Sequence, residues 1–272
     1  MNRFWFFFFM IAGIAAVGSY AMAPAMGWWF PGAGTSLSPL GRQIDDLYYL
    51  ILVITGVTFI GVMAVLGYIL WTFGAGKRER GLFTHGSHTL EVVWSIVPAG
   101  ILLFIALYQL DVWARYRVKS LFDQKALANP VAEVTARQFE WRIRYPAPGK
   151  VLQDTPQPDD LYTVNDLHVP VGKPVVIRLR SEDVLHSFYL PHLRVKQDAV
   201  PGLIIPVWFQ CDKVGRTELV CAELCGWGHY KMRGQLTTQR EEDFQEYLRV
   251  LSNSQFDDGV PVAKAEEKKA DE

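Results

Sequence analysis

Apolar residues crowd into the first 113 positions of this chain, and the remainder reads like a soluble domain with a charged tail. The first apolar run extends from Phe4 to about Ala23, behind a single Arg3, and stops at Pro24. At about 20 residues it is long enough to cross a bilayer. Ala21-Met22-Ala23 also gives it the form of a secretory leader with an A-x-A cleavage site. Residues 1–23 are therefore either a signal peptide or an N-terminal transmembrane helix, and both readings carry the next segment out of the cytoplasm. Leu47 to Phe73 holds no charge over 27 positions, far too long an uncharged run for a buried core helix, which predicts a transmembrane helix. Val92 to about Leu110, opened by Glu91 and closed by Asp111, predicts another. Pro98 inside it is tolerable where a neighbouring helix or side chain satisfies the freed carbonyl. Residues 47–111 thus form a helical hairpin joined by residues 74–90. That linker holds Lys77, Arg78 and Arg80, whereas residues 24–46 hold only Arg42, so the linker is expected in the cytoplasm and residues 24–46 outside it. Arg115, Arg117 and Lys119, on the other side, weaken the bias.

From about Val131 the period changes to that of strands. Short β-rich runs cover Val131 to Tyr145, Tyr162 to Val169, Val175 to Leu179, Ser187 to Leu190 and Leu203 to Phe209. Gly and Pro punctuate them at 146–149, 171–174 and 200–202, a spacing that suggests a β-sandwich or barrel. Glu241 to Leu251 predicts a terminal helix, and residues 253–272, rich in Asp, Glu, Lys and Ala, read as a disordered charged tail. The fold class expected is a membrane-anchored all-β protein. Composition then narrows the function. The chain has 272 residues with 27 Lys+Arg against 28 Asp+Glu, a net charge of −1, so bulk electrostatics give no reason to expect a nucleic-acid partner. Three cysteines are too few for a disulfide scaffold.

The chemistry is concentrated between Cys221 and Met232, in Cys-Ala-Glu-Leu-Cys-Gly-Trp-Gly-His-Tyr-Lys-Met. Cys225, His229 four later and Met232 three after that offer thiolate, imidazole and thioether, the loop ligands of a blue-copper site, which needs one more His from a distant strand. His186, at the edge of a strand run, can supply it. Cys221 makes the set too rich for one such ion. Two copper ions bridged by both sulfurs, each capped by one His, use every donor, with Met232 and the Glu223 backbone carbonyl as weak axial ligands. Blander readings compete. Cys221 and Cys225 would suit a disulfide in an oxidising compartment, but His229 and Met232 have no place in it. A structural zinc site lacks its second cysteine pair. A copper chaperone of the Sco type also uses C-x3-C, although its His lies far downstream. Cys211 reads as a small buried hydrophobe, and His168 and His192 as surface or strand-edge histidines. No C-x-x-C-H occurs, so the electron donor to such a centre is a separate protein.

These residues resemble subunit II of the haem–copper cytochrome c oxidases, over about residues 40–250. Ser181-Glu182-Asp183-Val184-Leu185-His186-Ser187 and Lys196-Gln197-Asp198-Ala199-Val200-Pro201-Gly202 are similar to family signatures around the first His ligand and the strand after it. The resemblance implies a transmembrane hairpin followed, over residues 112–252, by a cupredoxin-like β-sandwich on the extracytoplasmic side of the inner (cytoplasmic) membrane. It implies a dinuclear copper centre (CuA) held by His186, Cys221, the Glu223 carbonyl, Cys225, His229 and Met232. The Glu223 carboxylate would bind a magnesium ion shared with subunit I, oxygen being the ligand that hard cation takes. Implied partners are subunit I, subunit III, the lipid bilayer and a c-type cytochrome. The chain would relay electrons in an oxidase that reduces oxygen to water and translocates protons, itself performing no bond chemistry. Glu91 matches a family Glu at the mouth of a proton pathway. The family's surface Trp for electron entry is here Phe139, and Trp141 matches a second, more buried Trp. Glu182, Asp183, Asp159 and Asp160 are candidates for an acidic patch that receives a basic donor. A quinol-oxidase subunit II or a membrane-tethered copper chaperone are the alternatives.

Overall fold

The computed structural model describes residues 2–23, 25–28, 34–73, 83 and 85–256. Lys77, Arg78 and Arg80 of the expected cytoplasmic linker, and residues 257–272 of the expected tail, lie outside the described residues. The chain divides into two units, Met1–Ala33 with Asp45–Asp111, and Gly34–Ile44 with Val112–Glu272.

The first unit is built on α1 (Asn2–Met22), α2 (Pro39–Phe73) and α3 (His88–Arg117). All three are long and apolar enough to cross a membrane, and at most 6% of the best window of each is buried. Their apolar side chains point outward, the arrangement of helices whose solvent is lipid. α1 runs antiparallel along α2. Phe6 meets Trp71 with ring centroids 5.1 Å apart, and Tyr20 and Tyr48 share a 2.6 Å hydrogen bond between their hydroxyls. Between them Gly67 lets Met10 approach so closely that a Cβ there would lie 2.8 Å from the thioether sulfur. Small residues at a helix contact are how membrane helices pack, and residues 3–22 form a third apolar helix long enough to cross a membrane. α3 continues through Pro98, as the sequence allows.

The second unit is a sandwich of two five-stranded sheets. One holds β1 (Ala132–Arg137), β2 (Glu140–Tyr145), β3 (Leu161–Val164), β5 (Pro174–Ser181) and β8 (Ile205–Gln210) in the order β3-β2-β1-β5-β8. The other holds β4 (Asp166–Pro170), β6 (His186–Leu190), β7 (Val195–Ala199), β9 (Gly215–Cys221) and β10 (Arg233–Gln239) in the order β4-β10-β9-β6-β7. The pairs β1–β5 and β10–β4 are parallel and the rest antiparallel. Inward-facing Val134, Trp141, Ile143, Tyr145, Leu179, Phe188, Leu219 and Leu236 interleave as one core. Short α4 (Gln124–Ala128) is capped by Asp123, whose Oδ1 accepts from the Ala126 N–H at 2.8 Å.

The structure departs from the sequence pattern in several places, among them Val131 to Tyr145, which is two strands, β1 and β2, and Val195–Ala199, a strand outside the predicted runs. The run Tyr162 to Val169 is two strands, broken at Asn165, whose φ of 58° suits asparagine better than branched residues. Asn165 holds the crossing between sheets: its Oδ1 accepts from Trp141 N–H and its carbonyl from Gln235 N–H, each at 2.8 Å. Strands β9 and β10 escape a reading by alternation because each mixes polar and apolar residues; their pairing from Arg233 with Val220 to Thr238 with Gly215 orders them. α5 (Glu241–Phe256) continues past Leu251 into what the sequence reads as tail. Near its end Gln255 Oε1 accepts from Tyr162 N–H at 3.0 Å, and its Nε2 donates to the Tyr162 carbonyl. Finally, part of the expected extracytoplasmic linker joins the sandwich. Leu37 N–H donates to His192 O at 2.8 Å, Asp212 N–H donates to Leu37 O at 2.9 Å, and Arg42 pairs with Asp212 at 2.6 Å. Leu40 is buried, and Gly41 lies where a Cβ would come 2.8 Å from the Leu193 carbonyl.

Candidate metal centre

Three strand ends position the soft donors. His186 opens β6 and pairs with Ala199 of β7, while Phe188, two residues on, pairs with Cys221 at the end of β9. The chain leaves β9 at Cys221, turns through residues 222–232 and enters β10, with Cys221 N–H donating to the Met232 carbonyl at 3.2 Å. Cys221 and Met232 thereby close the base of one hairpin. At its tip Gly226 takes φ +130°, which only glycine adopts without strain.

The donors converge in this loop. Cys221 Sγ and Cys225 Sγ are 3.8 Å apart. Cys221 Sγ faces His186 Nδ1 at 3.9 Å and the Glu223 carbonyl oxygen at 3.3 Å. Cys225 Sγ faces His229 Nδ1 at 3.6 Å and Met232 Sδ at 3.8 Å. His186, Cys221 and Cys225 form a buried group whose ligand atoms lie within 4.8 Å of one another. All three cysteines are free thiols, so the disulfide reading fails for this structure. His186 and Met232 are almost fully buried and His229 is half-buried.

Neighbours hold these ligands in one orientation. Asp183 Oδ1 lies 2.8 Å from His186 Nε2 and fixes the ring with Nδ1 facing the Cys221 sulfur. Asp183 also accepts from the Gln138 N–H at 2.8 Å and the Val184 N–H at 2.6 Å. Burial raises the Asp183 carboxyl, but these donors outweigh it and leave the group below the ordinary carboxylate range. Burial likewise opposes protonation of His186, and hydrogen bonds to Cys221 and Asp183 outweigh it in the raising direction. Burial pushes the Cys221 thiol up, yet hydrogen bonds from His186 and from the backbone at Ser187 win and bring it down to about 6. Cys225 is pushed up to about 12 by burial first and the Cys221 charge next. Cys211 is also raised to about 12, by burial foremost.

Trp141 is fully buried, edge-on to His186 at 6.3 Å and to Phe188 at 5.7 Å. Phe139 is half-buried, and its ring lies on the loop: a Cβ on Gly228 would fall 2.4 Å from it. Gln138 Nε2 donates to the Cys225 carbonyl at 2.6 Å, tying the β1–β2 turn to the loop. Glu223 is half-buried, and Glu91 is exposed in the first turn of α3. His168 lies on edge strand β4, buried and stacked on Tyr247 at 3.6 Å, and His192 is half-buried. The four candidate docking acids differ in their surroundings. Asp160 is buried against Arg144 at 2.7 Å, Asp159 pairs with Lys150, and Asp183 is committed to His186, so Glu182 alone of the four stays exposed and unassigned. Sequence reasoning missed Asp183 as the partner of His186 and Gln138 as a brace. Asp183 stands three residues before the ligand, a spacing that could have suggested it.

A membrane-anchored β-sandwich that gathers thiolates, imidazoles and a thioether in one loop defines a copper-binding electron-transfer protein. Family models agree in detail: "Cytochrome C oxidase subunit II, transmembrane domain" matches residues 26–112, and "Cytochrome C oxidase subunit II, periplasmic domain" matches residues 140–237. The alternative cytochrome c oxidase subunit 2 of Bradyrhizobium diazoefficiens is 30% identical over 259 residues, covering 88% of this chain and 90% of that protein. Cytochrome c oxidase subunit 2 of Cereibacter sphaeroides is 32% identical over 244 residues, 78% of this chain and 77% of that protein. Quinol oxidase subunit 2 of Bacillus subtilis is 28% identical over 220 residues, 79% of this chain and 64% of that protein. The chain belongs to the cytochrome c oxidase subunit II family. It is a subunit of a haem–copper oxidoreductase complex that includes subunit I, anchored by apolar helices with its β domain as the periplasmic part.

Proposed function

We propose that this subunit takes electrons from a separate c-type cytochrome at a dinuclear copper centre and passes them to haem in subunit I. The observation that carries this reading is the pairing of donors. Each thiol has its own imidazole nitrogen and its own weak donor, the Glu223 carbonyl on one side and Met232 on the other. One ion would leave half of this set idle, whereas two ions would use all of it. The donor chemistry fits copper, since thiolate and thioether are its soft ligands. His186, Cys221, Glu223 through its carbonyl, Cys225, His229 and Met232 would hold the ions. Bound copper would supply reversible one-electron oxidation and reduction.

The protein's own work is to hold that set still. Asp183 fixes the ring of His186, Gln138 braces the Cys225 carbonyl, and burial keeps water off the sulfurs. A site that does not rearrange between oxidation states exchanges electrons quickly. In the same reading the Glu223 carboxylate binds magnesium at subunit I and Glu91 admits protons from the cytoplasmic side. The complex sits in the inner membrane with subunit III.

Metal analysis with electron paramagnetic resonance on the purified complex tests this. The expected result is two coppers in this subunit and a mixed-valence signal with narrow or multi-line hyperfine structure. One copper supports a tethered chaperone, no copper supports a quinol-oxidase type, and one zinc overturns a redox role. Retention of both cysteines and both histidines is what favours the copper-bearing type within a family that also holds quinol oxidase subunits.

A further inference from the structure

Three large apolar side chains stand out of the metal loop: Leu224, Trp227 and Tyr230 are 78%, 76% and 74% exposed. Contiguous exposed apolar surface marks a contact site. Trp227 occupies the midpoint of the Cys225–His229 interval, two residues from each candidate ligand. Its ring meets Phe139 edge-on, centroids 5.0 Å apart and planes at 68°. Phe139 in turn lies on the loop backbone, because Gly226 and Gly228 have no side chains there; a Cβ at either would come within 3.2 Å and 2.4 Å of its ring. Lys231 Nζ sits 4.4 Å from the centre of the indole, steadying it by a cation–π contact. The two rings therefore form an unbroken van der Waals path from solvent to the backbone between Cys225 and His229. Electron tunnelling falls off exponentially with distance and is far less efficient across a solvent gap than through contacting rings.

The surroundings of Trp227 also say what docks there. Three of the four candidate docking acids are spent in the fold, and Lys231 places a cation at the ring. This face suits a donor that presents an apolar, weakly charged rim around its haem edge.

We propose that Trp227 is the ring such a c-type haem donor touches, and that Trp227 and Phe139 together conduct the electron to the Cys225–His229 half of the centre. This rests on the proposed function. One electron leaves the donor haem and one enters the oxidised copper pair, with no bond made or broken. Leu224 and Tyr230 serve only as apolar contact.

The test uses the purified oxidase complex with a reduced, soluble c-type cytochrome whose haem edge has an apolar, near-neutral rim as the probe. Trp227→Ala is expected to lower the electron-transfer rate at saturating cytochrome c by roughly tenfold or more, as a loss in the transfer step itself requires. Trp227→Phe should retain the rate to within about threefold, and Leu224→Ala should raise KM while leaving kcat in place. The copper resonance and the internal transfer from copper to haem, started by light with a ruthenium reagent, should match the unsubstituted complex in every variant. A Trp227→Ala complex that keeps its saturated rate overturns the inference, as does a Trp227→Phe complex as slow as the alanine one. An unsubstituted complex without the copper signal, or one that does not oxidise the probe, instead sinks the proposed function and this inference with it.

Discussion

Cys221 and Cys211 show how far one residue type can be driven apart by its neighbours. Both are buried, but Cys221 has hydrogen-bond partners for its thiolate and comes down to about 6, while Cys211 rises to about 12. The thiolate is the reactive form, so reactivity tracks the difference. In metal-free protein, a disulfide reagent is expected to react at Cys221 at pH 7, with the rate falling by about tenfold per pH unit once the pH drops below about 6. Cys225, 3.8 Å away, then displaces the reagent to give a Cys221–Cys225 disulfide. Cys211 should label only after denaturation, as peptide mapping would show. Labelling of Cys211 in the native protein would contradict its burial. Legibility is uneven at this scale. Cys221, Cys225, His229 and Met232 stand together in the chain and could be read directly. Asp183 was legible only as a spacing, three residues before His186, and the fold decides that it turns toward the ring rather than out as a surface acid.

At the scale of elements, the loop between β9 and β10 depends on the turn between β1 and β2. Phe139 fills the space that Gly228 leaves open. Gly228→Ala should therefore displace the loop by overpacking, at a cost of about 1–3 kcal/mol, and lower copper retention. Combining it with Phe139→Ala should restore much of the copper retention lost, because the clash has gone. A double variant as poor as Gly228→Ala alone would show that Phe139 is not the obstacle. The membrane helices were the most legible elements, since an uncharged run such as Leu47 to Phe73 has few other uses. The strands were less so. β3 and β4 read as one run because the break at Asn165 is a backbone feature, and β9 and β10 lack clear alternation. Their identity comes from partners distant in sequence.

For the whole molecule, charge is balanced locally as well as in total. The Arg144 guanidinium is enclosed between Glu133 at 3.1 Å and Asp160 at 2.7 Å, and all three are buried. Acids used inside the fold cannot steer a donor from solution. The buried Asp160 therefore adds little to the kind of steering that raises association by roughly tenfold to a thousandfold. The second-order rate of donor oxidation should then change by less than about twofold between ~20 and ~200 mM salt. Stopped-flow measurement across that range checks it, and a steep fall would reveal an acidic field elsewhere on the complex. The sandwich is also not one continuous stretch of chain. Gly34–Ile44 folds with Val112–Glu272, although membrane helices lie between them in sequence.

Three things were set by the sequence alone: that the chain enters a membrane, that a β domain comes after the helices, and that soft metal ligands meet in one loop. Each rests on information that is local in the chain, whether an uncharged run, a strand period or a ligand spacing. Tertiary structure decided the remainder. It made Gln138 a brace and Asp160 a buried counter-ion, drew residues 34–44 into the sandwich, and laid Phe139 between the loop and Trp227. Those roles depend on which distant residues burial brings into contact, and no short-range pattern records that.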